Sequence, residues 1–145
     1  MKGISEKEAQ IWYRTQGLSL NDRELPARPK DVEIFKIPID TGHRISLVSE
    51  HMTTYSKASE LLVWFTDWGI WSSSERPHIF KRFCLSYGGI RPLIDTLAFF
   101  FDKTEFEDAV SFVTLGVLFL WDIYIAKAGG PLLHFSHDEM GLIKK

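Results

Sequence analysis

The densest apolar run in the chain is Leu61-Leu-Val-Trp-Phe-Thr-Asp-Trp-Gly-Ile-Trp71. Alternation puts Leu61, Val63, Phe65 and Asp67 on one face of an extended segment, and Leu62, Trp64, Thr66 and Trp68 on the other. Both faces are apolar, which predicts a central strand rather than an edge. Gly69 marks the bend or bulge that ends it. Asp67 is the one charge inside the run, and an acid so placed must find a partner or reach water.

The rest of the pattern arranges itself around this strand. Ser5 with Glu8 forms a capping box, predicting a short peripheral helix over 6–16 that Gly17 closes. Ile11 and Trp12 are its expected buried face, flanked by Ala9 and Tyr13. Residues 18–31, with Pro26 and Pro29, read as a surface loop. Val32 to Ile39 and His43 to Ser49 read as two strands of a hairpin turned by Asp40-Thr-Gly42. Ser72 or Ser74 caps a second helix with Ile79, Phe80, Phe83, Cys84 and Tyr87 on its apolar side, and Gly88-Gly89 stops it. Leu97 to Phe101 reads as a further strand. Thr104 with Glu107 then opens a third helix whose apolar positions are Phe106, Val110, Val113 and Val117. Ile123–Ile125 and Leu132–Phe135 flank Ala128-Gly-Gly-Pro131 as a final hairpin.

Three helices and about six strands, without regular strand–helix alternation, predict an α+β fold on an antiparallel or mixed sheet. At 145 residues and 16.7 kDa the chain fits a single domain, 1–145, with 1–31 as its peripheral helix and loop. A formal charge of −2 without a basic stripe argues against nucleic acid as partner. The N-terminal residues lack a signal-type apolar core, and the longest uncharged C-terminal stretch, Ala109 to Trp121, falls short of the ~20 residues a membrane span takes. A soluble, cytoplasmic protein is the expectation.

Candidate chemistry is sparse. Cys84 is the only cysteine, so an intramolecular disulfide and a cysteine metal cluster are excluded. The five histidines show no ligand spacing, and no metal or other cofactor is expected. Ser136-His-Asp-Glu139 is the densest polar cluster. It reads as a capping box or turn first, and as a base or ligand at His137 supported by Asp138 or Glu139 second. Asp67 and Asp122 each read either as hydrogen-bond acceptors in the fold or as carboxylates raised by aromatic surroundings. If strands 61–67 and 121–125 are neighbours, Asp67, Asp122 and His137 could meet in one pocket. Trp64 and Trp121 are core, whereas Trp68 and Trp71 are candidates for an exposed stacking or partner-binding patch.

Four segments taken together carry a resemblance: Trp64-Phe-Thr-Asp-Trp-Gly-Ile-Trp71; Ser86-Tyr-Gly88; Gly116-Val-Leu-Phe-Leu-Trp-Asp122 with Tyr124; and Phe135-Ser-His-Asp-Glu139. The set, spanning roughly residues 60 to 140, resembles a family of small bacterial proteins of the kind found as immunity partners of polymorphic toxins. The resemblance implies a bacterial cytoplasmic protein and a toxin as its protein partner, and it carries no catalytic chemistry with it. Two functions therefore stand: a non-enzymatic protein-binding module contacting its partner through Trp68, Trp71, His137, Asp138 and Glu139, or a small enzyme using Asp67, Asp122 and His137. A small-ligand binder with an aromatic pocket at Trp68 and Trp71 is a third.

Overall fold

The computed structural model describes residues 1–18, 32–67, 81–82, 85–86 and 98–144. Among the described residues seven strands form one sheet: β1 (Lys2–Ile4), β2 (Val32–Lys36), β3 (Glu60–Asp67), β4 (Ala98–Asp102), β5 (Asp122–Ala126), β6 (Leu132–Phe135) and β7 (Met140–Lys144). Their order is β1-β4-β3-β5-β6-β7-β2, with every neighbouring pair antiparallel. Helices α1 (Glu6–Thr15), α2 (Thr41–Met52) and α3 (Phe106–Leu118) cover it, and the fold is α+β.

The two apolar faces of β3 are buried against different covers. Leu61, Val63 and Phe65 join Phe99, Phe101, Ile125 and Leu133 beneath α2 and α3, which contribute Val48, Met52, Phe112 and Val113. Leu62 and Trp64 join Ala98, Ala126 and Leu132 beneath Ala9 and Tyr13 of α1. Thus β3 is central and buried on both sides, as its composition predicts. Helix α3 comes close to the sheet because Gly116 lacks a Cβ: one built there would stand 2.8 Å from Phe65 Cε1 and would strike Ile123.

The capping box of α1 is present, with Glu8 N–H donating to Ser5 Oγ at 3.3 Å and Ser5 N–H to the Glu8 carboxylate at 2.7 Å. Its buried face differs from expectation. Ala9 and Tyr13, at four-residue spacing, are inside, while Ile11 is 52% exposed and Trp12 half-buried against Phe100.

Residues 43–49 are not a strand but the body of α2. Asp40 caps this helix by accepting the His43 N–H at 2.9 Å, so Asp40-Thr-Gly42 starts a helix where a hairpin turn was expected. Arg44, Val48 and Met52 bury one side at four-residue steps, and this longer periodicity overrides the two-residue alternation of Ile45 and Leu47. Strand β2 therefore pairs with β7, not with its sequence neighbour.

The start of α3 is also shifted. The side-chain cap lies at Asp102 and not Thr104, and it caps a turn ahead of the helix: Asp102 accepts the Thr104 N–H at 2.7 Å while Glu105 accepts the Asp102 N–H at 3.0 Å. A 3₁₀ turn, Lys103–Glu105, leads into the helix. The β5–β6 hairpin is as expected, and Ser136–Glu139 forms the turn of a further hairpin into β7. The helix expected from Ser72 or Ser74 to Tyr87 lies largely outside the described residues; Lys81, Arg82, Leu85 and Ser86 are helical. Among the described residues no helix is long and apolar enough to cross a membrane.

Candidate functional site

Asp122 opens β5 on the sheet face that α1 covers, two residues before Tyr124 on the same side. Its side chain is 16% exposed and does two jobs at once. One carboxylate oxygen accepts the His137 backbone N–H at 2.9 Å, and the other lies 2.9 Å from His137 Nδ1. A carboxylate can only accept, so Nδ1 carries the proton and the ring is fixed in orientation. On its other side, His137 Nε2 faces the exposed Asp138 carboxylate at 3.2 Å.

A second histidine approaches from β6. His134 is directly opposite Tyr124 and lies flat on it, with ring centroids 4.1 Å apart and planes 6° from parallel. This holds His134 Nε2 at 3.7 Å from Asp122, an ion-pair distance rather than a direct hydrogen bond. Burial alone would raise the Asp122 carboxyl. The opposing pull of His134, the His137 N–H and the His137 ring is larger, and Asp122 is held well below the usual carboxylate range.

The turn carrying His137 is built for this contact. Ser136 N–H donates to the Met140 carbonyl at 2.8 Å, Asp138 N–H donates to Ser136 Oγ at 3.3 Å, and Glu139 sits at φ 59°. Glu139 faces away from the pair, meeting Arg44 Nη2 at 3.4 Å, while Arg44 Nε donates to the Pro38 carbonyl at 2.6 Å. The Ser136–Glu139 cluster thus divides into His137 and Asp138 near Asp122, and Glu139 tied to α2.

Of the three residues proposed to meet, Asp122 and His137 do. The backbone of Asp67 pairs with Asp122 across a register shift that follows Phe65, and its side chain is outside the described part of the molecule. Trp68, Trp71 and Cys84 also lie outside it, whereas Trp64 and Trp121 are core. Three participants were not anticipated: His134, Tyr124 and Arg44. The facing positions of Tyr124 and His134 follow from the hairpin register, which the Ala128-Gly-Gly-Pro131 turn alone does not fix. Arg44 is hidden by the misassigned helix.

Chemically, an ionised carboxylate that fixes an imidazole through Nδ1–H leaves Nε2 as the ring atom able to exchange a proton. Among the described residues no group of three His, Cys, Asp or Glu side chains is arranged to hold a metal ion. Beyond the pair, the same sheet face continues across β6 to β7 and β2. There Met140 is 42% exposed and Ile34 50% exposed, next to Leu142. No known protein family, curated protein or solved structure matches the chain.

Proposed function

We propose that this domain is a non-enzymatic protein-binding module whose contact surface is the α1-side face of β7 and β2 together with the β6–β7 turn. The observation that carries this reading is the pair of large apolar side chains, Ile34 and Met140, left half in water on neighbouring strands of one face. An isolated exposed apolar residue is ordinary, but two on adjacent strands beside half-buried Leu142 form the apolar centre of a contact patch. Lys36 on the same face and Asp138 on the turn give it a polar rim of mixed charge. In this reading Asp122 and His137 keep the turn in place, and His137 and Asp138 touch the partner. Trp68 and Trp71 remain proposed contacts.

The sequence resemblance supports a toxin as the partner, with the domain as its immunity protein. The test is co-expression with any toxin encoded alongside it. Wild type should relieve growth arrest and co-purify in fixed stoichiometry, while Ile34→Glu/Met140→Glu should do neither. Failure of the wild type to protect would remove the immunity role. Equal protection by the double variant would remove this surface.

A second reading is favoured by one geometric fact, the 2.9 Å Asp122–His137 contact. In it the pair is the acid–base centre of a small enzyme, with Asp67 as the third group. It requires a turnover that His137→Gln abolishes without changing stability or partner binding.

A further inference from the structure

The polar edge of β2 extends the protein-binding reading and specifies how a partner is held. Two backbone hydrogen bonds fix which groups of this strand face outward. Ile37 N–H donates to the Glu139 carbonyl at 2.7 Å, so Ile37 and its alternates Phe35 and Glu33 point their backbone groups at β7. The Met140 carbonyl accepts from Ser136 on the opposite side of β7, which places the Lys36–Met140 pair in the non-bonded set and agrees with that phase. Val32, Ile34 and Lys36 therefore turn their N–H and C=O groups away from the sheet. Among the described residues β2 is the last strand on this side.

We infer that β2 is a docking edge that takes one extended segment of a partner protein, added antiparallel as an eighth strand. Main-chain bonds to Val32, Ile34 and Lys36 would supply the register-independent part of the contact. The side chains select the register. Ile34 calls for an apolar residue opposite it, and exposed Lys36 for an acid on the same face. Charges on an edge strand ordinarily guard it against indiscriminate pairing. Here they also disfavour a second copy of the chain. Two β2 strands centred on Ile34 would place each Lys36 opposite the apolar Val32 and not opposite an acid. The partner segment, read from its N-terminus, is thus acidic, any residue, apolar, any residue, apolar.

The probe is a synthetic peptide with the core Glu-Thr-Val-Thr-Val, titrated to millimolar concentration against the full chain with backbone amide shifts and exchange as readout. The Val32, Ile34 and Lys36 amides should gain protection. A peptide with Lys in place of that Glu should bind at least about threefold more weakly. Ile34→Pro removes one outward donor at a position where an edge strand accepts proline, and should abolish binding. Lys36→Glu keeps every backbone group and should bind the Lys-substituted peptide better than the original peptide. Absence of protection at the three amides, equal binding of the Lys-substituted peptide to wild type, or an unchanged preference in Lys36→Glu would overturn the inference. Should the co-purifying partner be retained by Ile34→Pro and lost by Met140→Glu, the docking edge fails while the protein-binding reading stands.

Discussion

Replacing Asp122 by alanine removes a carboxylate that restrains the β6–β7 turn from a strand two positions away in the sheet. Two hydrogen bonds are lost, one to the His137 backbone N–H and one to its ring, each charge-assisted and therefore worth about 1.5–3 kcal/mol. The site is partly open, and water reaches the vacated N–H, so the lower end applies and the pair together contributes roughly 3 kcal/mol. For a domain of this size that corresponds to a fall in Tm of about 6–12 °C. Urea unfolding followed by tryptophan fluorescence measures it, with the shift appearing in the midpoint and not the slope. Asp122→Asn keeps one acceptor and should lose about half as much. The pH dependence supplies an internal check. The folded carboxyl is held below its unfolded value of about 3.9, so its contribution is complete above that pH and fades as pH falls below it. The gap between wild type and Asp122→Ala should therefore narrow in acid. A cost under about 0.5 kcal/mol at pH 7, the usual range for an inconsequential surface substitution, would refute the role assigned to Asp122.

Two further substitutions test the packing on the opposite face, and a third, in the β5–β6 turn, serves as a comparison. His51 lies on the Phe35 ring with centroids 4.2 Å apart, and burial lowers its affinity for a proton despite Glu50 and Glu33. A group depressed in this way contributes fully above its unfolded pKa of about 6.5 and loses that contribution as pH falls below it. His51→Phe should thus flatten the stability profile between about pH 7 and pH 5, as read by urea midpoints across that range. Gly141 sits opposite Phe35, and a Cβ there would run into the ring. Gly141→Ala should cost about 1–3 kcal/mol by displacing Phe35, whereas Gly129→Ala, at a positive φ with open space around it, should act through backbone strain alone and cost less.

The centre of the fold was legible because β3 announces itself: an apolar residue at nearly every position admits only burial on both sides. The capping box of α1 and the β5–β6 hairpin were legible for a similar reason, since each rests on a local signal of the right spacing. What failed were segments whose conformation is decided at longer range. Ile45 and Leu47 suggest a strand when taken as a pair, and the helix emerges only when Arg44, whose buried guanidinium hydrogen-bonds Pro38 and meets Glu139, is counted among the inward positions. Strand β1 is only three residues long, and β7 is held by partners distant in sequence or across a turn read as a helix cap. At the candidate site, Asp122 and His137 were individually visible as polar residues in apolar company. Their meeting depended on β5 lying beside β6, and His134 entered only through its stacking on Tyr124.

Calorimetric titration of the co-purifying partner into purified wild type and into Ile34→Glu/Met140→Glu measures the contribution of the β2–β7 face to binding. Wild type should form a one-to-one complex and the double variant should bind at least about tenfold more weakly, the loss of roughly 1.4 kcal/mol expected when an apolar contact centre is made charged. Equal affinity for the two proteins, with the double variant folded, would place the contact surface elsewhere on the domain.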